Sequence, residues 1–228
     1  MNRTLPLVLC LGVSCGGTGA TRVTFPVDVA RAEEALVTNS GWTVTLTSAR
    51  AHLEGVRFFS GEALQVRRPR WLAALAPIAW AHPGHYVEGE ARGELLTPLE
   101  VDLLAEAPTP WGEAEGLTGH VGSQQLTYGA RGLEVAGVAE KDGATVAFSA
   151  HFTPEKPIAG SAFTHELTTA PGTAQLRVRF SRVFARVDFA LVGSGAEPLD
   201  ESSPAFNGYV RGVDDSGAYF TNWKEAER

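Results

Sequence analysis

His82 and His85 stand three residues apart across Pro83-Gly84, in the run Ala81-His82-Pro83-Gly84-His85-Tyr86. Proline presets one turn angle and glycine accepts the backbone conformations a tight turn demands. Such a bend can place both imidazoles on one side of a loop. Imidazole is mostly neutral near pH 7 and is a ligand for zinc and copper. A complete centre needs one or two further donors. Besides His52, the chain offers His120, His151 and His165. These last three are the candidates for a third ligand, and the ion expected is copper or zinc. The only methionine is the initiator, which removes thioether-rich copper(I) chemistry. No cysteine follows Cys15, so the mature domain has no thiolate site and no disulfide framework.

Other chemistry is poorly provided for. The chain has no Gly-x-Ser-x-Gly elbow, no Walker A loop and no dinucleotide fingerprint. His165-Glu166 begins like a zinc-protease helix, but residue 169 is Thr where the second His would fall. Asp200-Glu201 and Asp214-Asp215 read as solvated loops. A binding protein is therefore expected, not an enzyme. The formal net charge is −7 and the pI about 5.4, the wrong balance for a nucleic-acid binder. Arginines gather at Arg67, Arg68 and Arg70, and again at Arg177, Arg179, Arg182 and Arg186. They read as a solvated face or a contact for an anionic ligand or lipid headgroups.

The amino terminus has the layout of an export signal: Met1-Asn2-Arg3, an apolar run from Leu5 to Val13, then Ser14-Cys15-Gly16-Gly17. It resembles a bacterial lipoprotein signal. That resemblance implies a lipid carried on Cys15, with Leu7-Val8-Leu9-Cys10 as a competing site. The location implied is the cell envelope, lipid-anchored and outer-membrane or periplasm-facing, with plain secretion as the alternative. Gly16 to Thr21 reads as a flexible tether. The domain plan is thus signal over 1–15, tether over 16–21 and one folded domain over 22–228. Trp80-Ala81-His82 is similar to the Trp-x-His of copper-binding surface proteins from methane-oxidising bacteria. In that family the tryptophan is oxidised to kynurenine and binds copper with histidines. The similarity implies Trp80 as a modified ligand and His82 as a copper ligand.

The elements that must position these groups are mostly strands. Val23 to Val29 is a β-branched run, and Trp42 to Thr47 alternates apolar and polar with period two. Leu99 to Leu104, Thr145 to Phe152 and Leu176 to Phe180 alternate likewise. Asp142-Gly143 reads as a hairpin turn, and Asn39-Ser40-Gly41 as another turn. Helices are expected only over Arg31–Val37 and Arg70–Trp80. The fold class expected is all-β: one antiparallel, sandwich-like domain with one or two short helices.

The function expected is an exported lipoprotein that binds a transition metal for capture or hand-off in the envelope. Its partners are then the metal ion, a membrane leaflet and an envelope receptor protein. The alternatives are a metal-free interaction module serving a membrane receptor, or a carbohydrate-binding domain using Trp71, Trp80 and Trp111 as platforms.

Overall fold

Two strands are far longer than the rest. β3 (Thr43–Phe59) and β7 (Gly119–Lys141) pair antiparallel along most of their lengths. The computed structural model in which they are seen describes residues 19–64, 86–192 and 197–226. Register shifts interrupt the β3–β7 pairing near Leu46, Ala51 and Leu53. Such bulges bend a strand and increase its twist, so one ladder serves two assemblies.

At one end β3 and β7 close a circuit of eight strands. The others are β4 (Ala91–Leu95), β6 (Thr109–Leu117), β1 (Arg22–Val29), β10 (Gly172–Val178), β12 (Tyr219–Glu225) and β9 (Ile158–Leu167). This is a barrel. At the other end β2 (Ala35–Val37), β8 (Ala144–Phe152) and β11 (Glu197–Leu199) extend the same sheet, and β5 (Leu99–Asp102) pairs with β3. Two short helices, α1 (Phe180–Val183) and α2 (Phe206–Val213), cover that end. The chain is all-β, as expected. Its strands form one continuous sheet that closes on itself instead of two packed antiparallel sheets. Three pairings are parallel: β1 with β10, β9 with β12 and β8 with β11.

Alternation explains the strands. In β3, Val44 and Leu46 are buried and Thr43 and Thr45 exposed. Asp142 and Gly143 take φ of +50° and +80°, making the expected hairpin between β7 and β8. The helix expected over Arg31–Val37 does not form. The Asn39–Gly41 turn, with Gly41 at φ +83°, folds Ala35–Val37 back onto Thr43–Thr45 as a strand. The helix expected over Arg70–Trp80 lies outside the described residues.

Aromatic rings fill the barrel. Phe25, Phe58, Phe163, His165 and Trp223 form a closed cycle of ring contacts, with centroids 4.3 to 6.1 Å apart. Trp42, Phe148, Phe184, Phe189 and Tyr209 form a second aromatic group under the helices. Two buried tyrosines, Tyr128 and Tyr219, make a further ring pair at 6.1 Å. The Tyr128 hydroxyl donates to the Tyr219 hydroxyl at 3.2 Å, and Tyr219 donates to Val213 O at 2.8 Å.

Candidate functional site

His82 and His85 lie outside the described residues, as do Cys15, Trp71 and Trp80. What is described is the foot of the excursion that carries the two histidines. β3 ends at Phe59 and β4 starts at Ala91, and the described residues next to these two ends are laced to each other. Ser60 N donates to Glu90 O at 2.9 Å, and Gly61 N to Glu88 O at 2.8 Å. Further out, Leu64 N donates to Gly160 O at 3.1 Å. On the returning side the Tyr86 hydroxyl lies 2.7 Å from Ser123 Oγ, and Gln125 Nε2 donates to Glu88 Oε1 at 3.2 Å.

Glycine makes this landing possible. Gly160 has φ +78°, and a Cβ there would fall 2.8 Å from Leu64 Cδ1 and 3.1 Å from Tyr86 Cδ2. Both sides of the excursion therefore rest on one point of β9. They approach from outside the barrel, since Gly61 also lies against Gly122 of β7. Ser123 is fully buried beneath Tyr86. Burial raises the Tyr86 pKa, the Ser123 hydrogen bond opposes that rise, and the nearby Glu88 adds to it.

The three candidate third ligands are held in different places. His120 is exposed on the outer face of β7, two residues before Gly122, and its Nδ1 is 3.8 Å from Glu166 Oε2. His165 faces the barrel interior between Phe163 and Trp223, stacked on the indole at 4.3 Å and 14°. His151 lies opposite Glu134, in the other half of β7, with Nε2 2.9 Å from Arg131 O. Among the described residues, no three His, Cys, Asp or Glu side chains converge to hold a metal ion.

Other readings meet the structure plainly. Trp111 is buried, and its indole N–H donates to Thr97 O at 2.7 Å, so it is no exposed platform. Asp200 accepts from Ser202 N, and Asp215 from Gly217 N, so both carboxylates serve turns. No helix among the described residues is long and apolar enough to cross a membrane. Comparison of the chain with protein families, with curated proteins and with solved structures finds no match.

His165 carries a prediction of its own. Burial lowers its pKa, opposed by Glu166 and Glu225. The folded state thus binds this proton less readily than the unfolded chain, whose imidazole titrates near ~6.5. Stability from this group is complete above that value and declines as pH falls toward the lower folded pKa. Thermal melts between pH 7.5 and 5 should show that decline, and His165→Gln should flatten it. An unchanged slope in the variant would assign the effect elsewhere.

Proposed function

We propose that the chain is an exported lipoprotein that binds one copper or zinc ion through His82 and His85, with His120 as third ligand. The observation that carries this reading is the anchoring of Tyr86. It follows His85 directly, and its hydroxyl is fixed against Ser123 on the outer face of β7. His120 lies on that same face. His165 is turned into the barrel and His151 belongs to the other half of the ladder, so neither shares that surface. Glu166 beside His120 Nδ1 supports the assignment. A carboxylate on one imidazole nitrogen orients the ring and strengthens the other nitrogen as a ligand.

The lipid reading rests on the Cys15 signal and on spacing. Six residues, Gly16 to Thr21, separate Cys15 from strand β1, a stretch that spans at most about 20 Å, and its last residue, Thr21, is already fixed to Thr118 by hydrogen bonds of 2.9 Å. The work proposed is capture of the ion, or its transfer to an envelope partner, close to a membrane.

One preparation tests both parts. Tag-free protein expressed with its signal should carry about one equivalent of metal, and its mass should include acyl chains on Cys15. His82→Ala/His85→Ala should be metal-free. His120→Ala should weaken binding by more than the roughly 10–100-fold typical of losing an outer-shell partner. His151→Ala should change nothing. Affinity should fall as pH drops through ~6.5, because protonated imidazole cannot ligate. Metal-free wild-type protein would overturn the metal reading and leave an envelope interaction module. Full metal binding in the His82/His85 variant would do the same for these ligands.

A further inference from the structure

Strand β1 is paired with β6 from Arg22 to Val29, but with β10 only from Val27 to Val29. The seam between β1 and β10 is therefore open toward Arg22. Pro26 accounts for the break, since proline has no N–H to give a neighbouring strand. Alternation assigns the groups left over. Ala30 N donates to Leu176 O on the β10 side, whereas Thr21 is bonded on the β6 side to Thr118. In a strand the N–H and C=O of one residue point the same way, and successive residues alternate. Arg22 and Thr24 share the parity of Ala30, so both turn their N–H and C=O into the open seam. Among the described residues no strand pairs with them there.

A cleft of about 440 Å³ occupies this seam, within the range of ligand sites. Residues 22–26 form one wall, and the loop 168–173 with Trp223 and Ala226 forms the other. The second wall is held in place. Ala170 N donates to Thr168 Oγ1 at 3.1 Å, and Ala226 N to Pro171 O at 3.3 Å. The inner side is aromatic: Phe25 is buried, and its ring lies 5.6 Å from that of Trp223. Gly172 makes room for the indole, because a Cβ there would fall 2.3 Å from Trp223 Nε1. Among the described residues nothing accepts from that indole N–H, and no carboxylate pairs with Arg22.

We propose that the cleft binds an extended peptide segment of a partner protein, added to β1 as a further strand. Backbone donors and acceptors at strand spacing are complemented by another extended backbone. In such strand addition the main-chain hydrogen bonds supply affinity, and the side-chain surroundings supply choice. Arg22 and Phe25 are three residues apart, so their side chains lie on opposite faces of β1. The peptide that complements them turns an aromatic residue inward to Phe25 and Trp223. Three positions away, on the outer face, it carries an acidic residue beside Arg22. This inference does not rest on the metal reading.

The probe is a capped six-residue threonine peptide with phenylalanine and aspartate three positions apart. It is made in both orders, one for each direction of the added strand. In an amide NMR titration one order should saturably shift the Arg22 and Thr24 amides and the Trp223 indole N–H. Its affinity should fall as salt rises. Moving the aspartate to two positions from the phenylalanine puts both on one face and should weaken binding about threefold. N-methylating the peptide amides removes the donors and should abolish binding. Thr24→Pro removes an N–H from the open edge and leaves the β6 side intact, as Pro26 already does. It should weaken binding about tenfold, the worth of one buried hydrogen bond. Arg22→Gln should weaken binding about threefold and remove most of the salt dependence. Equal melting temperatures would show that both variants are folded, and the N-methylated peptide decides the matter if Thr24→Pro does not fold. Three results would each overturn the proposal: no saturable shift with either order, equal affinity for the N-methylated peptide, or phenylacetate bound as tightly as the peptide. The last would leave a pocket for small anions.

Discussion

Phe58→Ala is expected to remove roughly 3–5 kcal/mol of folding stability, the range for deleting a buried aromatic side chain. Phe58 has no solvent exposure, and its ring lies 5.5 Å from Phe25 and 5.2 Å from Phe163. It is one member of the ring cycle that fills the barrel. Truncation leaves a void faced by strands β1, β3 and β9, whose backbones are fixed by ladder hydrogen bonds and cannot collapse inward. The cavity term should therefore persist in full. A domain of this size has only about 5–15 kcal/mol in total, so the loss is a large fraction. Urea denaturation should show it as a lower midpoint with a similar slope. Phe58→Leu should cost under about 1.5 kcal/mol, since most of the volume remains. A loss below 1 kcal/mol for the alanine variant would mean that the barrel interior repacks freely.

Period-two alternation made much of the sheet legible in sequence. Trp42–Thr47 and Thr145–Phe152 each bury one side, and the hairpin turn falls at Asp142-Gly143, where the sequence places it. Barrel closure was not legible. It depends on which strand edges meet, and the β9–β12 contact that completes the circuit rests on Phe220 opposite Ala162. No local pattern encodes such a pairing. The parallel partnering of β1 with β10 is equally non-local: Val27 lies opposite Ala174.

Helix α2 was hidden for another reason. Phe206, Tyr209, Val210 and Val213 do follow helical spacing, but Gly208 and Gly212 sit among them and read as breakers. The candidate site divides in the same way. The His-Pro-Gly-His bend is a sequence feature, whereas the choice among its companions is a matter of sheet parity. His120 and Val121 are neighbours in sequence, yet one points to solvent and the other into the barrel. Strand β9 turns His165 inward by the same alternation, and only strand assignment separates it from Glu166.

The two glycines of α2 lead to the second large effect, Gly212→Ala. Alanine is the better helix former by about 1 kcal/mol, so propensity alone favours the variant. Packing opposes it. A Cβ on Gly212 would lie 1.9 Å from Val183 O and 2.6 Å from Val183 C, both backbone atoms of α1. No rotamer change can relieve that contact, so α2 must move outward. The movement pulls on Tyr209, fully buried, whose hydroxyl donates to Leu133 O at 3.1 Å and whose ring meets Phe184 at 5.6 Å. Overpacking costs about 1–3 kcal/mol, and weakening the tyrosine hydrogen bond adds about 1. After the propensity gain, a net loss of about 2 kcal/mol is expected, or roughly 4–8 °C in melting temperature. Gly208 faces the same wall, with a Cβ 2.4 Å from Arg186 O. One displacement of α2 relieves both clashes, so the double variant Gly208→Ala/Gly212→Ala should lose less than the sum of the singles. Asn207→Ala, on the exposed side of α2, should instead be neutral or slightly stabilising. A Gly212→Ala protein that melts at or above the wild-type temperature would mean that the two helices do not meet backbone to backbone.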